Sequence, residues 1–281
     1  MKKKILVSCV DAGGANIINH WIKKRNDDFF FYLKGPAKKI FKKKNIKKTE
    51  LFSIRFDEII TGTSTYHELE KYVRKIAIDR KIYSTTFLDH YINYYRRFLY
   101  KKKLVLPNQI YTFDKYSTYL AKKTFKRLKI KQQINYFEKD ILKRIKRKRY
   151  NKKKMNILFI SEIFLNNKKL SKMVNLKFVQ FLKILRERGI QYRLKYRKHP
   201  SEKFIESKKI TKYLSAYEDK NFDIIKSLNW SDMVIGYGSY YLMIANKSSR
   251  DVFTLNPIGR FKLWWPLNFK LKKIHDFKFK K

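Results

Sequence analysis

The stretch KDILKRIKRKRYNKKKMNILFIS, Lys139 to Ser161, separates two halves of the sequence. It begins as the tail of a helical pattern, continues as a basic run, and then returns abruptly to a short apolar strand pattern, NILFIS. A composition change of this kind is typical of a linker between domains. A chain of 281 residues is also long enough to form two ordinary cores. We therefore predict two domains, residues 1–150 and 151–281.

Short apolar runs alternate with longer amphipathic runs on both sides of this linker. The strand candidates before it are KILVSCV, FFFYL, DEIITG, IYSTTFLD and QIYTF, and those after it are NILFIS, IQYRLKYRKHP, DMVIGYGS and DVFTLNP. A polar or glycine-containing turn and then a helical pattern follow most of them, which is typical of a parallel sheet. The predicted fold class is α/β, with two Rossmann-like domains whose parallel sheets face a central cleft.

The charge of the chain is strongly positive, with 69 Lys and Arg against 23 Asp and Glu and a net charge of +46. Such an excess attracts polyanions, either nucleic acid or the anionic lipids of a cytoplasmic membrane face. The lysines are spread along the chain among abundant Ile, Asn, Tyr and Phe, so AT-rich coding explains the charge equally well. Neither an RNP-type motif nor a zinc-finger spacing is present, and nucleic acid is therefore the less favoured partner.

Cysteine content and hydropathy indicate the compartment. Cys9 is the single cysteine, so no disulfide framework exists and a reducing compartment is expected. The apolar run Ile5–Val10 is too short for a signal peptide, and no run reaches the length of a membrane span. We predict a cytoplasmic protein, with peripheral attachment to the inner face of the cytoplasmic membrane as an option.

Glycines follow the first predicted strand directly. In VDAGGA, Asp11, Gly13 and Gly14 lie at the carboxyl end of this strand, where ligands of parallel sheets bind. Glycine allows backbone N–H groups and a helix N-terminus to approach such a ligand. The pattern is not GxGxxG, and a tight turn with Asp11 near the helix cap is the simpler explanation of this motif taken alone.

A sharper anion-binding signal lies in the second half. The strand in WSDMVIGYGSYYLMIA ends at Gly236, Gly238 and Ser239, and a helix pattern follows. Backbone N–H groups and the serine hydroxyl at a helix start bind anions, a role that is compatible with a serine N-cap. In RKHPSE, Arg197 and His199 end the preceding strand region, and the following Pro200 favours an extended His199. An imidazole with a pKa near neutrality can hydrogen-bond a phosphate.

The His-Pro pair, together with the later strand, Gly-Ser turn and helix, resembles the donor-binding half of GT-B-type glycosyltransferases. The nearest similarity is to bacterial sialyltransferases, polysialyltransferases and CDP-glycerol-type polymerases of surface polysaccharide synthesis. The resemblance implies that His199 and Ser239 contact the phosphate of a nucleotide-activated donor. CMP- and CDP-linked donors are the first candidates, and the implied acceptor is a glycan or a lipid-linked glycan.

The first half is similar to proteins encoded with polysaccharide genes, through DAGGANII, TGTSTYHELEK, FLDHYINYYRRF and FDKYSTYLAKKTF. The acidic motif that supplies the catalytic base in sialyltransferases has no clear copy, since Asp11-Ala12-Gly13 matches it only in part. Asp89, Asp11 and His90 remain candidates because each follows a predicted strand. The alternatives are a helix cap for Asp89 and packing against a tyrosine for His90.

No pair of carboxylates of the DxD type ends a strand, so we expect a metal-independent reaction without a cofactor. The predicted function is transfer of a sugar or polyol phosphate from a nucleotide-activated donor. A non-catalytic nucleotide-sugar-binding partner of a polysaccharide assembly system is the main alternative, and a basic nucleic-acid-binding protein is a weaker one.

Overall fold

The structure is a computed structural model. It describes residues 1–146, 154–162, 168–199, 202, 208, 212, 214–220, 223–248, 250–255 and 272–273, with the backbone alone for 168–175 and 272–273. The chain divides into two compact units, Met1–Lys139 and Asp140–Lys281, which we call domain 1 and domain 2. Each contains a six-stranded sheet with helices between its strands. The predicted class of two Rossmann-like α/β domains is confirmed.

Domain 1 is built on a sheet whose strands are all parallel. The strands of this sheet, in chain order, are β1 (Lys4–Cys9), β2 (Asp28–Leu33), β3 (Glu58–Thr61), β4 (Tyr83–Phe87), β7 (Gln109–Thr112) and β8 (Lys129–Gln132). Between β4 and β7, the strands β5 (Leu99–Tyr100) and β6 (Lys103–Leu104) form a separate antiparallel hairpin. The spatial order of the sheet is β2-β1-β3-β4-β7-β8. The order reverses between β1 and β3, so a crevice opens at the carboxyl ends of these two strands.

Helices cover both faces of this sheet. They are α1 (Ala12–Ile22), α2 (Gly35–Phe41), α3 (Glu50–Ser53), α4 (Leu69–Asp79), α5 (Tyr94–Arg97), α6 (Lys115–Thr124) and α7 (Tyr136–Arg144). Successive residues of β1 enter different cores: Val7 packs with Ile18 of α1, and Leu6 packs with Val73 of α4. A strand that is buried on both faces must be apolar throughout, which explains the continuous run KILVSC.

Two elements of domain 1 are absent from the predicted pattern. The edge strand β8 has the sequence KIKQ, and three of its four residues are exposed, so it carries little apolar signal. In the β5–β6 hairpin, Lys101 and Lys102 adopt positive φ angles of 44° and 65°. Both central residues of a type I′ turn require this region, which Asn and Gly usually supply. Two lysines give no such signal.

Domain 2 contains the second parallel sheet. Its strands are β9 (Met155–Ile160), β10 (Tyr192–Arg197), β11 (Tyr217–Glu218), β12 (Met233–Gly236), β13 (Asp251–Thr254) and β14 (Lys272–Lys273). The spatial order is β11-β10-β9-β12-β13-β14. Counted within the domain this is 3-2-1-4-5-6, the strand order of a Rossmann fold, and the order reverses between β9 and β12.

The core of domain 2 forms mainly against one long helix. The described helices are α8 (Lys168–Glu187), α9 (Ile224–Trp230) and α10 (Tyr240–Lys247). Phe178 of α8 stacks on Phe159 of β9 with 4.2 Å between the ring centroids, and Leu182 and Leu185 extend the same apolar stripe. The 3.6-residue spacing of these side chains is the amphipathic pattern that predicts this helix from the sequence.

The division between the units falls within α7, whereas the sequence predicts it at residues 150 and 151. Residues 147–153, the basic centre of the predicted linker, lie outside the described residues. Among the described helices, none combines the length and the hydrophobicity that crossing a bilayer requires.

Candidate functional site

Asp11 lies at the reversal of strand order in domain 1. It directly precedes α1 with an extended backbone (φ −77°, ψ 149°), which is the N-cap conformation. Its carboxylate makes no capping hydrogen bond, however. The side chain is half-buried. Asp11 therefore has the position of a helix cap without that role, and its carboxylate is available for chemistry at this edge of the sheet.

A buried glutamate connects the loops that follow β1 and β3. Glu70 of α4 is fully buried. Its Oε1 accepts a hydrogen bond from Val10 N at 3.1 Å, and its Oε2 accepts one from Ser64 N at 2.6 Å. A Cβ atom at Gly62 would come within 2.6 Å of Oε1, so only glycine allows this approach. Glu70 thus holds both sides of the crevice in one geometry.

Asp89 approaches the same crevice from the end of β4. Its Oδ1 accepts a hydrogen bond from Thr63 Oγ1 at 3.1 Å, and its side chain is 3% exposed. A Cβ atom at Gly13 would overlap Asp89 Oδ2. The glycine after β1 therefore makes room for the aspartate after β4, and the two carboxylates predicted separately, Asp11 and Asp89, belong to one cluster.

The cluster changes the protonation of Asp11. Burial raises the pKa of Asp11 to about 7, and the negative charges of Glu70 and Asp89 add to this effect, while Arg97 opposes it. A carboxyl group with a pKa near 7 can both accept and release a proton at neutral pH, which is the property of a general base.

Two buried arginines compensate part of this negative charge. Arg74 is fully buried and donates to Thr61 Oγ1, to the carbonyl of Gly62 and to that of Val105 at 3.1 to 3.2 Å. It also donates to the carbonyl of Arg97 at 2.8 Å. These bonds tie the loop after β3 to the segment around the β5–β6 hairpin.

Arg97 and His90 lie in different environments beside the cluster. Arg97 is 3% exposed and donates to the carbonyls of Ile92 and Thr63. It therefore stabilises the cluster from within and does not present its charge to solvent. His90 has a side chain that is 44% exposed, with its Nε2 3.7 Å from Asp89 Oδ2. The helix that follows begins after Asn93, so Asp89 is not its cap.

In domain 2, three neighbouring strands end at the same level. Gly236 pairs with Ile160, and Ile160 pairs with Arg197, which places the carboxyl ends of β12, β9 and β10 side by side. Glu162, Gly238 and His199 each follow two residues later. Adjacent strands lie about 4.8 Å apart. The backbones of His199 and of the Gly-Ser turn therefore lie at one edge of the sheet, about two strand spacings apart.

The Gly-Ser turn has the geometry of a capped helix start. Ser239 is the N-cap of α10, and its hydroxyl accepts a hydrogen bond from Tyr241 N at 3.3 Å. Gly238 N donates to Glu162 Oε1 at 3.1 Å. A Cβ at Gly236 would lie 3.0 Å from the carbonyl oxygen of Ile160, so this glycine allows close strand packing. The sequence patterns predict Gly238 and Ser239 but not Glu162.

Arg197 and His199 are held by acidic partners. Arg197 donates to Asp219 Oδ2 at 2.7 Å, and its guanidinium lies 5.9 Å from the ring of Tyr241 in the first turn of α10. The backbone N–H of His199 donates to Glu202 at 3.1 Å. Burial lowers the pKa of the half-buried His199, against the opposing charge of Glu202. Pro200 lies outside the described residues.

The architecture is shared with solved enzymes of nucleotide-sugar chemistry. The chain resembles S. aureus MnaA in a UDP co-structure (TM-score 0.65, 12% identity, covering 90% of this chain and 79% of that one). It also resembles Neisseria meningitidis UDP-GlcNAc 2-epimerase bound to UDP-GlcNAc (TM-score 0.64, 11% identity, covering 89% of this chain and 82% of that one). A third similar structure is the glycotransferase of kitacinnamycin (TM-score 0.53, 9% identity, covering 92% of this chain and 81% of that one). The chain has the GT-B fold. No family model matches it, and no curated protein matches it in sequence.

Identities this low establish the fold and leave the reaction to the side chains of this chain. The GT-B fold confirms the broad resemblance inferred from the sequence, whereas the narrower similarity to sialyltransferases and related polymerases stays a prediction. Within the fold, one group of predicted residues gathers at the crevice of domain 1 (Asp11, Gly13, Gly14, Asp89 and His90) and a second at the sheet edge of domain 2 (Arg197, His199, Gly236, Gly238 and Ser239).

Sequence patterns miss charged residues that organise both sheet edges. Glu70 lies in the first turn and Arg74 in the middle of the amphipathic helix α4, and both are buried, whereas charged residues of such a helix usually face solvent. Glu162 follows a strand next to residues with no motif. The one available signal is position, because Glu162 lies two residues after the first strand of its domain, a place where open α/β sheets bind ligands.

Proposed function

We propose that this protein is a metal-independent glycosyltransferase. In this proposal, domain 2 binds a nucleotide-activated donor, and domain 1 activates a hydroxyl group of a surface polysaccharide or lipid-linked acceptor. The observation that carries the proposal is the edge of domain 2 at the β9–β12 strand-order reversal, where the Ser239-capped start of α10 lies level with Arg197 and His199. A helix start with nearby basic side chains suits a phosphate group.

The proposed chemistry needs one base and one stabilised leaving group. Asp11 takes the proton of the acceptor hydroxyl as its oxygen bonds to the anomeric carbon of the donor sugar. The bond between this carbon and the phosphate oxygen breaks, and the nucleotide leaves with the electron pair. Backbone N–H groups at the start of α10 and basic side chains stabilise the charge on the phosphate. Asp11 is preferred over Asp89 as the base because the side chain of Asp89 is almost inaccessible to solvent, whereas Asp11 has a pKa of about 7.

Replacement of His199 tests the donor site. We expect His199→Ala to weaken nucleotide-sugar binding about tenfold or more, since a hydrogen bond to a charged phosphate contributes about 1.5 to 3 kcal/mol. A thermal-shift panel of CMP-, CDP-, UDP-, GDP- and TDP-linked sugars identifies the donor, and isothermal titration then measures Kd for both proteins. His67→Ala, at an exposed histidine of domain 1, is the matched control.

Three results of this experiment would count against the proposal. Absence of binding by every member of the panel removes the donor site. Equal binding by wild type and His199→Ala removes His199 from it. If a bound nucleotide sugar is converted to another sugar without release of nucleotide to an acceptor, the enzyme is not a transferase, although its donor site stands.

A lysine-rich surface supports the proposed membrane association. The segment Lys34–Lys48 contains eight lysines and no acidic residue, and all eight are exposed, at the N-cap of α2, on α2 and on the loop after it. A cluster of this density suits a surface of anionic lipid, where each basic residue contributes about 1 kcal/mol. Attachment there would bring the enzyme to a lipid-linked acceptor.

We expect wild-type protein to co-sediment with vesicles of anionic lipid and to be released by about 0.5 M salt, because screening shortens the reach of surface charges. Replacement of Lys38, Lys39, Lys42 and Lys43 by Gln should remove most of this binding. The same change at Lys122, Lys123, Lys126 and Lys129, four exposed lysines of α6, β8 and the loop between them, is the charge-matched control. Equal loss in both variants would assign binding to net charge alone, and equal binding to neutral vesicles would exclude the idea.

A further inference from the structure

Glu162 occupies the place in domain 2 where the proposed donor phosphate would bind. It follows β9, and its Oε1 accepts the N–H of Gly238 at the start of α10. The strand order reverses between β9 and β12, and ligands of open α/β sheets bind at this reversal. The carboxylate of Glu162 thus takes a hydrogen bond that an oxygen of a phosphate would otherwise take.

Two negative groups cannot share this position at low cost. A phosphate oxygen and an ionised carboxylate that compete for the same N–H repel each other strongly where water is excluded. A protonated carboxyl group changes this relation, because its O–H donates a hydrogen bond to the phosphate. Binding of the donor therefore requires either departure of Glu162 from the site or its protonation.

The surroundings of Glu162 favour protonation. Burial raises its pKa to about 7, and only the bond from Gly238 opposes this shift. The charged and titratable groups that face it from the neighbouring described elements are engaged or neutral. Arg197 of β10 is paired with Asp219, burial lowers the pKa of His199, and the charge of Glu162 itself helps to raise the pKa of Tyr237 in the turn after β12.

We propose that Glu162 is a donor-binding residue, which releases Gly238 N to the donor phosphate and, in protonated form, donates a hydrogen bond to that phosphate. Binding of the donor is then coupled to the uptake of one proton. This inference rests on the proposed donor site and adds to it a residue and a pH dependence that the site would not otherwise have.

The coupling has a definite sign. Below pH 7 the free protein already holds the proton, so the affinity does not change with pH through Glu162. Above pH 7 the proton must be taken from solution, and the affinity falls by up to tenfold for each pH unit. A nucleotide-diphosphate sugar keeps a constant charge over this range, and His199 stays neutral because its pKa is lowered.

The experiment measures proton uptake in the wild-type protein directly. Isothermal titration with the tightest-binding nucleotide-diphosphate sugar of the panel, at pH 8 in two buffers of different ionisation enthalpy, should show nearly one proton taken up. Kd should rise about tenfold between pH 7.5 and 8.5. Glu162→Gln keeps an oxygen acceptor for Gly238 N but cannot titrate, so it should bind with neither proton uptake nor this pH dependence.

Asp11→Asn is the matched control, since Asp11 is a second carboxyl group with a pKa of about 7 and belongs to domain 1. It should retain the proton uptake of the wild type. Nucleotide-sugar binding without proton uptake in the wild type would overturn the role of Glu162 and leave the proposed function intact. Uptake that persists in Glu162→Gln would overturn it as well. Absence of binding at every pH would overturn the donor site itself.

Discussion

Asp11→Asn is expected to lower kcat by about 100-fold or more while nucleotide-sugar binding stays unchanged. The amide keeps the shape of the side chain but cannot accept the acceptor proton, and a general base contributes about 10²- to 10⁴-fold to such a reaction. In the wild type, kcat should rise with pH through about 7, because burial and two neighbouring carboxylates raise the pKa of Asp11 to this value. Nucleotide release at saturating donor measures kcat, and titration measures binding.

Asp89→Asn separates the two aspartates. The change removes the negative charge of Asp89, which is one of the charges that raise the pKa of Asp11. The rise of kcat with pH should therefore occur below pH 7, and activity should be retained at high pH. A loss in Asp89→Asn as large as that expected for Asp11→Asn, together with an active Asp11→Asn, would assign the base to Asp89. Activity in both variants would remove the crevice of domain 1 from the chemistry.

Arg74→Met is expected to lower the free energy of unfolding by about 3 to 5 kcal/mol. The arginine is fully buried and donates four hydrogen bonds, and its charge interacts with that of buried Glu70. Its removal leaves buried hydrogen-bond acceptors and the charge of Glu70 without a partner, and removal of one member of a buried charge pair is strongly destabilising for this reason. Urea denaturation measures the change, and hydrogen exchange should locate it in β1, β3 and α4.

Two further variants test the physical reason. Arg80→Met removes two hydrogen bonds, to the carbonyls of Leu51 and Ile54, at the half-buried C-cap position of the same helix, and should cost about 1 to 2 kcal/mol. Glu70→Gln in the Arg74→Met background should restore part of the loss, because it removes the uncompensated charge. Equal losses at Arg74 and Arg80, or no recovery in the double variant, would contradict the electrostatic explanation.

The sequence patterns locate the main strands of both sheets well. KILVSC and MNILFI each form a central strand, and such strands need continuous apolar sequence because helices cover both faces. The patterns fail at the edges, where β8 and β11 bury little and therefore need no apolar run. They also fail at the β5–β6 turn, since Lys101 and Lys102 carry no sign of the positive φ angles that they adopt.

The candidate site was predictable in part for the same reason. The strand patterns also predict which residues lie at strand ends, and these include Asp11, Asp89, His199 and Gly238. Roles within the site could not be found, because protonation depends on neighbours that are distant in the chain. Glu70 is 60 residues from Val10, and Glu162 is 76 residues from Gly238.

Hydrophobic periodicity is local and the carboxyl ends of parallel strands lie together, so the sequence alone predicts two parallel α/β domains and the sheet edges at which the candidate residues lie. Tertiary structure alone decided which charges are buried and which side chains share a proton or a hydrogen bond. Burial and Coulomb interactions depend on distance in space, and a pKa near 7 for Asp11 or Glu162 exists only when strands far apart in the chain have been brought side by side.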